Sequence, residues 1–246
     1  MLQSSGFNLS GKLSIILVLL LGFATMVAAS DASDQLADRV EKALGSYYET
    51  PFQVTANDQG VVSIKGTVNS LFQKYRIFDI VATVPGVKDV EDYMTVNTGM
   101  LPDSVIAENI RYAINANKAI AAPQRINVRV ENGIVYLTGT VSYYREKVAA
   151  QTSASWEDGV KGIQDELKVL PPKKAVSDAN LQIIIKDVLH DRFRLEKNVS
   201  VTVDNGVVTL NGTVQNLWDK LEIAKNLSDV LGVKEVVNHL TVQSQM

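Results

Sequence analysis

Apolar residues along this chain follow two periods that alternate three times. Leu36, Val40, Ala43 and Leu44 fall at helical spacing, as do Ile106, Ile110, Ala113 and Ile114, and then Leu181, Ile185, Val188 and Leu189. Residues at i, i+4, i+7 and i+8 share one side of a helix, so each set predicts an amphipathic helix. Ser33, Asp103 and Asp178 each precede their stripe by three residues and can cap its first turn. Strict alternation follows each stripe: Phe52, Val54 and Ala56, then Ile126, Val128 and Val130, then Val199, Val201 and Val203. That period predicts a strand with one buried face. Asn132-Gly133 and Asn205-Gly206 come next and predict two-residue hairpin turns, because both residue types tolerate positive φ. The first copy has Gln59-Gly60 instead, which predicts a different turn.

The second hairpin strand places Val62, Ile64 and Val68 inward, matched by Val135, Leu137 and Val141 and by Val208, Leu210 and Val214. Gly66, Gly139 and Gly212 share that face, where the close approach of a helix is expected. A second helix is predicted from about Ser70 to Val84, with Leu71, Tyr75, Phe78, Val81 and Ala82 inward. Leu217, Leu221, Ala224 and Leu227 match it in the third copy. A last strand carries Val90, Met94 and Val96, then Ile163, Leu167 and Val169, then Val236, Leu240 and Val242.

The repetition extends to the residues themselves. Gly-Val-Val-Ser-Ile-Lys-Gly-Thr-Val (60–68) returns at 133–141 and 206–214, and Gly86-Val87-Lys88 returns as Gly159-Val160-Lys161 and Gly232-Val233-Lys234, always 73 residues on. One α-β-β-α-β unit has been copied three times. The predicted fold class is α+β: three tandem small domains, each with two helices packed on one face of a three-stranded sheet. The domains are expected over 33–98, 103–171 and 177–244, joined by short linkers around Pro102 and around Pro171-Pro172. The second copy departs from its siblings. Gln151, Ser155 and Glu157 stand where the first copy has Phe78, Ala82 and Val84, so its second helix is expected to pack less well or in a shifted register.

Composition narrows the function classes. With 46% hydrophobic and 21% charged residues the bulk of the chain is expected to fold. A net charge of −3 without a basic block argues against nucleic acid as the main partner. The chain has no cysteine, which excludes disulfides, thiolate metal sites and cysteine nucleophiles. Its two histidines, His190 and His239, lie on different predicted elements and belong to no spaced ligand set. There is no nucleophile elbow, phosphate loop or zinc-protease motif. No residue is therefore nominated as catalytic, metal-binding or cofactor-binding, and a non-enzyme with no small-molecule substrate is expected.

Residues 1–30 read as a targeting segment. Lys12 precedes an apolar run from Leu13 to Phe23, and Val27-Ala28-Ala29-Ser30 supplies small residues for cleavage. This is the grammar of a secretory signal peptide, with cleavage expected after Ala29 or Ser30 and the repeats exported to the periplasm. The alternative is an uncleaved anchor over 13–29, at the lower limit for spanning a bilayer.

The repeated glycine-rich strand, the lysine of the second helix (Lys74, Lys147, Lys220) and the Gly-Val turn into the last strand together resemble the BON domain, named for bacterial OsmY and nodulation proteins. The resemblance covers essentially all of 33–244, in triplicate. It implies the α-β-β-α-β fold, a bacterial envelope location, and a role in binding phospholipid membranes or envelope partners; OsmY-like members are associated with osmotic and envelope stress. It implies no catalytic residues. A chaperone-like holdase for unfolded clients is the second expectation for function, and oligomeric state is left open.

Five residues are candidates for contact with an anionic membrane or a partner. Trp156 replaces Thr83 and Asp229 of the sibling copies, and Tyr143 replaces Ser70 and Asn216. The siblings are polar, so both sites are expected to face solvent, where aromatic rings suit a partner surface or a lipid headgroup layer. The competing reading is that they pack between repeats. Lys88, Lys161 and Lys234 occupy one edge of each unit and could meet an anionic surface. The competing reading is a solvated turn, with Asp89 and Glu235 offsetting two of them.

Overall fold

The computed structural model describes residues 32–49, 52–172, 176–194 and 198–243; the signal peptide predicted over 1–30 lies outside the described residues. The first unit runs α1 (32–45), β1 (Gln53–Ala56), β2 (Val61–Val68), α2 (Leu71–Ala82) and β3 (Asp89–Val96). The second runs α3 (Asp103–Ala116), a short 3-10 turn at Pro123–Arg125, β4 (Ile126–Glu131), β5 (Ile134–Val141), α4 (Tyr144–Ser155) and β6 (Gly162–Val169). The third runs α5 (Asp178–Phe193), β7 (Val199–Asp204), β8 (Val207–Val214), α6 (Leu217–Leu227) and β9 (Glu235–Val242). Each unit holds one three-stranded sheet, an antiparallel hairpin whose second strand also pairs in parallel with the last strand. The parallel pairing follows from the helix between them, which carries the chain back across the sheet.

The first-helix stripes are buried as predicted, with Leu36, Val40, Leu44, Ile106, Ile110, Ile114, Leu181, Ile185 and Leu189 in the cores. They meet the inward strand residues, among them Val62, Ile64, Val135, Leu137, Val208 and Leu210. The second helix buries most of its predicted face: Leu71, Val81 and Ala82 in α2 and Leu217 and Leu227 in α6 are buried, and Phe78 packs against the core. Tyr75 and Leu221 are the exceptions and point outward, while Ile77 and Ile223, two residues on, are buried in their place. The sequence pattern alone does not choose between such neighbours.

The second copy keeps its register. Ala150 and Ala154 are buried at the positions of Ile77 and Val81, so α4 replaces bulk with small residues rather than sliding. Its polar substitutions find partners. Ser155 is fully buried and its hydroxyl donates to Thr152 O at 2.8 Å, and the Gln151 amide donates to Asp165. Glu146, only 1% exposed, accepts from the Ser142 N–H at 2.9 Å, as Gln73 accepts from Asn69 N–H at 2.7 Å in the first copy. Both reach back from the first helical turn to hold the incoming chain.

Asp103 and Asp178 do not cap their own helices. Each carboxylate instead accepts from both N–H groups of the hairpin turn, Asn132 and Gly133 at 2.7 and 3.0 Å, and Asn205 and Gly206 at 2.8 and 3.0 Å. In the first copy, Asn57 takes that role from inside the loop, accepting from Gln59 and Val61 N–H at 3.0 Å each. This explains why the first turn is built differently. Gly139 and Gly212 also answer to a different neighbour than expected. Their φ angles are 115° and 127°, and a Cβ there would fall 2.0 and 1.9 Å from the carbonyl oxygens of Arg125 and Asn198. The close approach comes from the chain entering the first hairpin strand, not from a helix. At Gly66 the ring of Phe52 fills the same place, 2.6 Å from where a Cβ would stand.

The three domains are joined in a cycle. Leu71, the first residue of α2, is buried in the core of the second domain rather than its own. Tyr144, 73 residues on, packs against the core of the third. Leu217, another 73 residues on, is buried in the core of the first. Each second helix thus places its N-terminal side chain in the next domain, and the third domain returns to the first. Val96 and Val242, the last residues of β3 and β9, bridge the same cores. Burying one such leucine contributes about 1.5–3 kcal/mol to holding a junction together.

Candidate partner-binding surface

The hairpin glycine and the Gly-Val-Lys turn, repeated in every unit, are two halves of one contact. Gly60, Gly133 and Gly206 have φ of 79°, 80° and 80°. A Cβ on them would meet the carbonyl oxygens of Gly86, Gly159 and Gly232 at 2.6, 2.7 and 2.7 Å. Beside that oxygen lie the Cγ and Cδ atoms of Lys88, Lys161 and Lys234. The backbone N–H of each lysine donates to the hairpin glycine's carbonyl at 2.9 Å. Local packing therefore fixes the stem of each lysine and carries its ammonium group at one position per unit. Lys234 Nζ donates to Asn205 O at 2.7 Å. Lys161 is exposed, Lys88 and Lys234 half-buried. Asp89 and Glu235 follow two of these lysines, whereas Gly162 follows Lys161, which keeps the least opposed charge of the three.

The lysine of the second helix has a structural role. Lys74 Nζ donates to Met94 O at 3.0 Å and pairs with Asp92 at 2.6 Å; Lys147 Nζ donates to Leu167 O at 3.1 Å and pairs with Asp165 at 3.5 Å. In the third unit Asn238 replaces the aspartate, and its amide donates to Lys220 O at 2.7 Å. These contacts tie the helix to the last strand.

The two candidate aromatics lie at opposite ends of α4 and are not brought together. Trp156 is the C-cap and stacks on Phe72 of α2, ring centroids 3.4 Å apart and planes 20° from parallel. It thus packs between the first and second domains while remaining 59% exposed. Tyr143 is the N-cap, beside the junction with the third domain, with the Arg145 guanidinium 4.7 Å from its ring centre. The neighbouring Tyr144 titrates above its ordinary value, first because it is buried, then because Glu235 and Asp165 are near. Glu157, next to Trp156, is also raised, by burial and then by the charge of Asp158.

A cleft lies where the third domain meets the first, and of its lining only Lys88 was a candidate from the sequence. It encloses about 700 Å³ and is lined by Arg39, the turn from Thr83 to Lys88, and Asn216, Trp218 and Val242. Among the described residues its walls carry two cations, Arg39 and Lys88, and no carboxylate. A second hollow of about 500 Å³ lies on the other side of Trp218, edged by Tyr47, Leu221 and Thr83. At the first junction Phe72 meets Trp156; the equivalent positions here are Trp218 and Thr83, and the small threonine leaves the indole 43% exposed. Comparing Phe72, Arg145 and Trp218 at the 73-residue step was the signal available in the sequence. Asp219, in the first turn of α6, is raised above its ordinary value by burial, against the lowering effect of its hydrogen bond with Asn216. Among the described residues no three His, Cys, Asp or Glu side chains converge as a metal set.

Comparison with known proteins gives the repeats a relation. A sequence model of the BON domain matches residues 30–98, 102–171 and 177–244. Osmotically-inducible protein Y of Escherichia coli (strain K12) is 28% identical over 118 residues, 45% of this chain and 58% of that protein. The match therefore spans little more than half of that relative's length. Similar solved structures include the C-terminal domain of CdsD, a structural protein of the type III secretion system of Chlamydia trachomatis, at 17% identity, 85% coverage of this chain, 98% of the other and a TM-score of 0.25. The PrgH periplasmic domain matches at 10% identity, 82% and 100% coverage and a TM-score of 0.21.

Proposed function

The chain belongs to the BON domain family, in three tandem copies, and from that premise we propose that it is a non-enzymatic protein of the bacterial envelope, exported to the periplasm, which binds anionic phospholipid surfaces. The observation that carries this reading is the cyclic arrangement of the domains. Each lysine holds the equivalent place in its own unit, beside the hairpin glycine, and on this reading Lys88, Lys161 and Lys234 act together on one anionic surface. Each lysine near an anionic surface contributes about 1 kcal/mol, so three acting together reach an affinity that one lacks. The osmotic association is supported by the name of the relative, osmotically-inducible protein Y.

The test is flotation of the chain from Asp31 onward with phosphatidylglycerol vesicles and with neutral vesicles, at low and high salt. The reading expects flotation with the anionic vesicles alone, abolished by salt because exposed charges are screened. Flotation that ignores lipid charge, or none at all, refutes it. A second reading, a holdase for unfolded clients, draws on the exposed apolar residues Tyr47, Trp218 and Leu221 around the closing junction. It expects suppressed aggregation of a model client in the absence of lipid.

A further inference from the structure

The second helices meet their neighbours through three versions of one contact, aligned by the 73-residue step. At the first junction Phe72 of α2 stacks on Trp156, the C-cap of α4. At the second, Arg145 holds the place of Phe72 and Asp229 that of Trp156. At the closing junction the two places hold Trp218 and Thr83, the C-cap of α2. One junction thus supplies both rings of a stack, and another supplies one ring alone. The Thr83 hydroxyl donates to Ile80 O at 2.6 Å, which commits it to its own helix. Among the described residues, the hollow of about 500 Å³ opens at this point, edged by Trp218, Leu221, Thr83 and Tyr47. Leu221 follows Trp218 by three residues, as Tyr75 follows Phe72. The hollow lies at the C-terminal end of α1, which contributes Ala43, and α1 begins roughly 20 Å away at its other end. Its charges are already paired. Arg76 meets Asp79 at 3.0 Å and Lys225 meets Glu222 at 3.5 Å, so its lining offers no net charge to an anion.

We propose that the hollow beside Trp218 is a binding site for an uncharged aromatic side chain, tryptophan above all, presented by an unfolded polypeptide. The ring stacks on the indole of Trp218 as Trp156 stacks on Phe72. The choice of an aromatic follows from the first junction, where the chain itself fills the equivalent place with a ring. Stacked aromatic pairs gain more than their buried area alone accounts for, which separates such a ring from an aliphatic side chain of similar bulk. The choice of a polypeptide over a lipid headgroup follows from the paired charges at the rim, since an anionic surface is held by cations that have no other partner. The volume lies within the range of about 300–1,000 Å³ usual for ligand sites and exceeds what one ring needs, leaving room for the flanking chain. The site deepens the holdase reading, on which it rests for the source of the ring, and names the feature of a client that is recognised.

The probe is the peptide Gly-Ser-Trp-Ser-Gly, blocked at both ends and carrying fluorotryptophan, titrated to millimolar concentration against the exported form of the chain, from Asp31 onward, and followed by fluorine NMR. A saturable shift of the peptide resonance is expected, reversed by the unlabelled peptide and not by Gly-Ser-Leu-Ser-Gly. Thr83→Trp supplies the second ring from the chain itself and weakens binding at least tenfold. Trp218→Leu keeps an apolar side chain on α6 without the ring and does the same, which decides the matter if Thr83→Trp disturbs the fold. Trp156→Phe leaves binding unchanged, because it lies at the other junction. No saturable shift, equal displacement by the leucine peptide, binding that survives Trp218→Leu, or binding lost in Trp156→Phe would each overturn the proposal. So would phosphatidylglycerol vesicles that bind through Trp218 when the peptide does not. Suppressed aggregation by a chain that fails to bind the peptide overturns this site and leaves the holdase reading standing; peptide binding without suppressed aggregation does the reverse.

Discussion

Shortening Leu217 to alanine tests whether the cycle of domains is closed by side-chain burial. The residue is 4% exposed and its neighbours belong to the first domain, so its burial contributes to the junction rather than to the core of its own domain. A fully buried leucine contributes about 1.5–3 kcal/mol, which translates into an opening equilibrium shifted by about 10- to 150-fold. Alanine is the best helix former, so the first turn of α6 is not disturbed by the change. The chain has no cysteine, and therefore Lys65→Cys with Asn211→Cys, exposed equivalents on β2 and β8, provides two unique labelling sites across the junction. Energy transfer between two dyes, followed in single molecules over a range of urea below global unfolding, reads the separation of the first and third domains. The Leu217→Ala chain is expected to populate a low-transfer state at urea concentrations where the parent does not. Leu71→Ala should have a smaller effect on this distance. Its junction is tethered by the linker over 97–102, which keeps the two domains at high effective concentration. Identical transfer distributions for parent and Leu217→Ala across the whole range refute the closed arrangement.

Four further outcomes are expected. Lys161→Glu should reduce flotation with anionic vesicles more than Lys88→Glu or Lys234→Glu, because Lys161 is the exposed member and no acidic residue follows it; equal effects would remove its special place. Gly133→Ala should lower the stability of the second domain by about 2 kcal/mol or more, read by urea denaturation, since φ is 80° and the new Cβ meets the Gly159 carbonyl. Asp103→Ala should cost about 1–2 kcal/mol through two unsatisfied turn N–H groups, and a neutral result would mean that water replaces the carboxylate there. Glu157 is raised above its ordinary 4.5, so its favourable contribution is full below that value and is lost as pH rises through the folded one. Glu157→Gln is therefore expected to raise Tm near neutral pH and leave it unchanged at about pH 3.5, and a Tm difference of the same size at both pH values contradicts the assignment.

Local pattern was enough for the elements and their order. The stripes of Leu36, Ile106 and Leu181 and the Asn-Gly turns each reflect a preference acting within a few residues, and recurrence, three times for the stripes and twice for the Asn-Gly turns, removed the ambiguity that a single copy carries. The pattern failed where two local solutions were equally good. Tyr75 competes with Ile77 for the inner side of α2, and only the sheet beneath decides which of the two is buried. It failed again at Asp103, whose spacing fits a helix cap and whose carboxylate reaches the turn 29 and 30 residues away. The position of the candidate lysines, one turn per unit, was legible because Gly-Val-Lys recurs. Trp218 and Arg39 were not, since each becomes part of a cleft only when the third domain meets the first.

The sequence by itself determined three α-β-β-α-β domains and their kinship, because periodicity and repetition are properties of neighbours along the chain. The tertiary structure decided how those domains meet. Leu71, Tyr144 and Leu217 look like ordinary first residues of amphipathic helices, and nothing local distinguishes a side chain buried in its own domain from one buried in the next. The transfer free energy of a leucine depends on leaving water and not on which core receives it. The receiving core is selected only by the path of the linkers and by the shape of the facing domain.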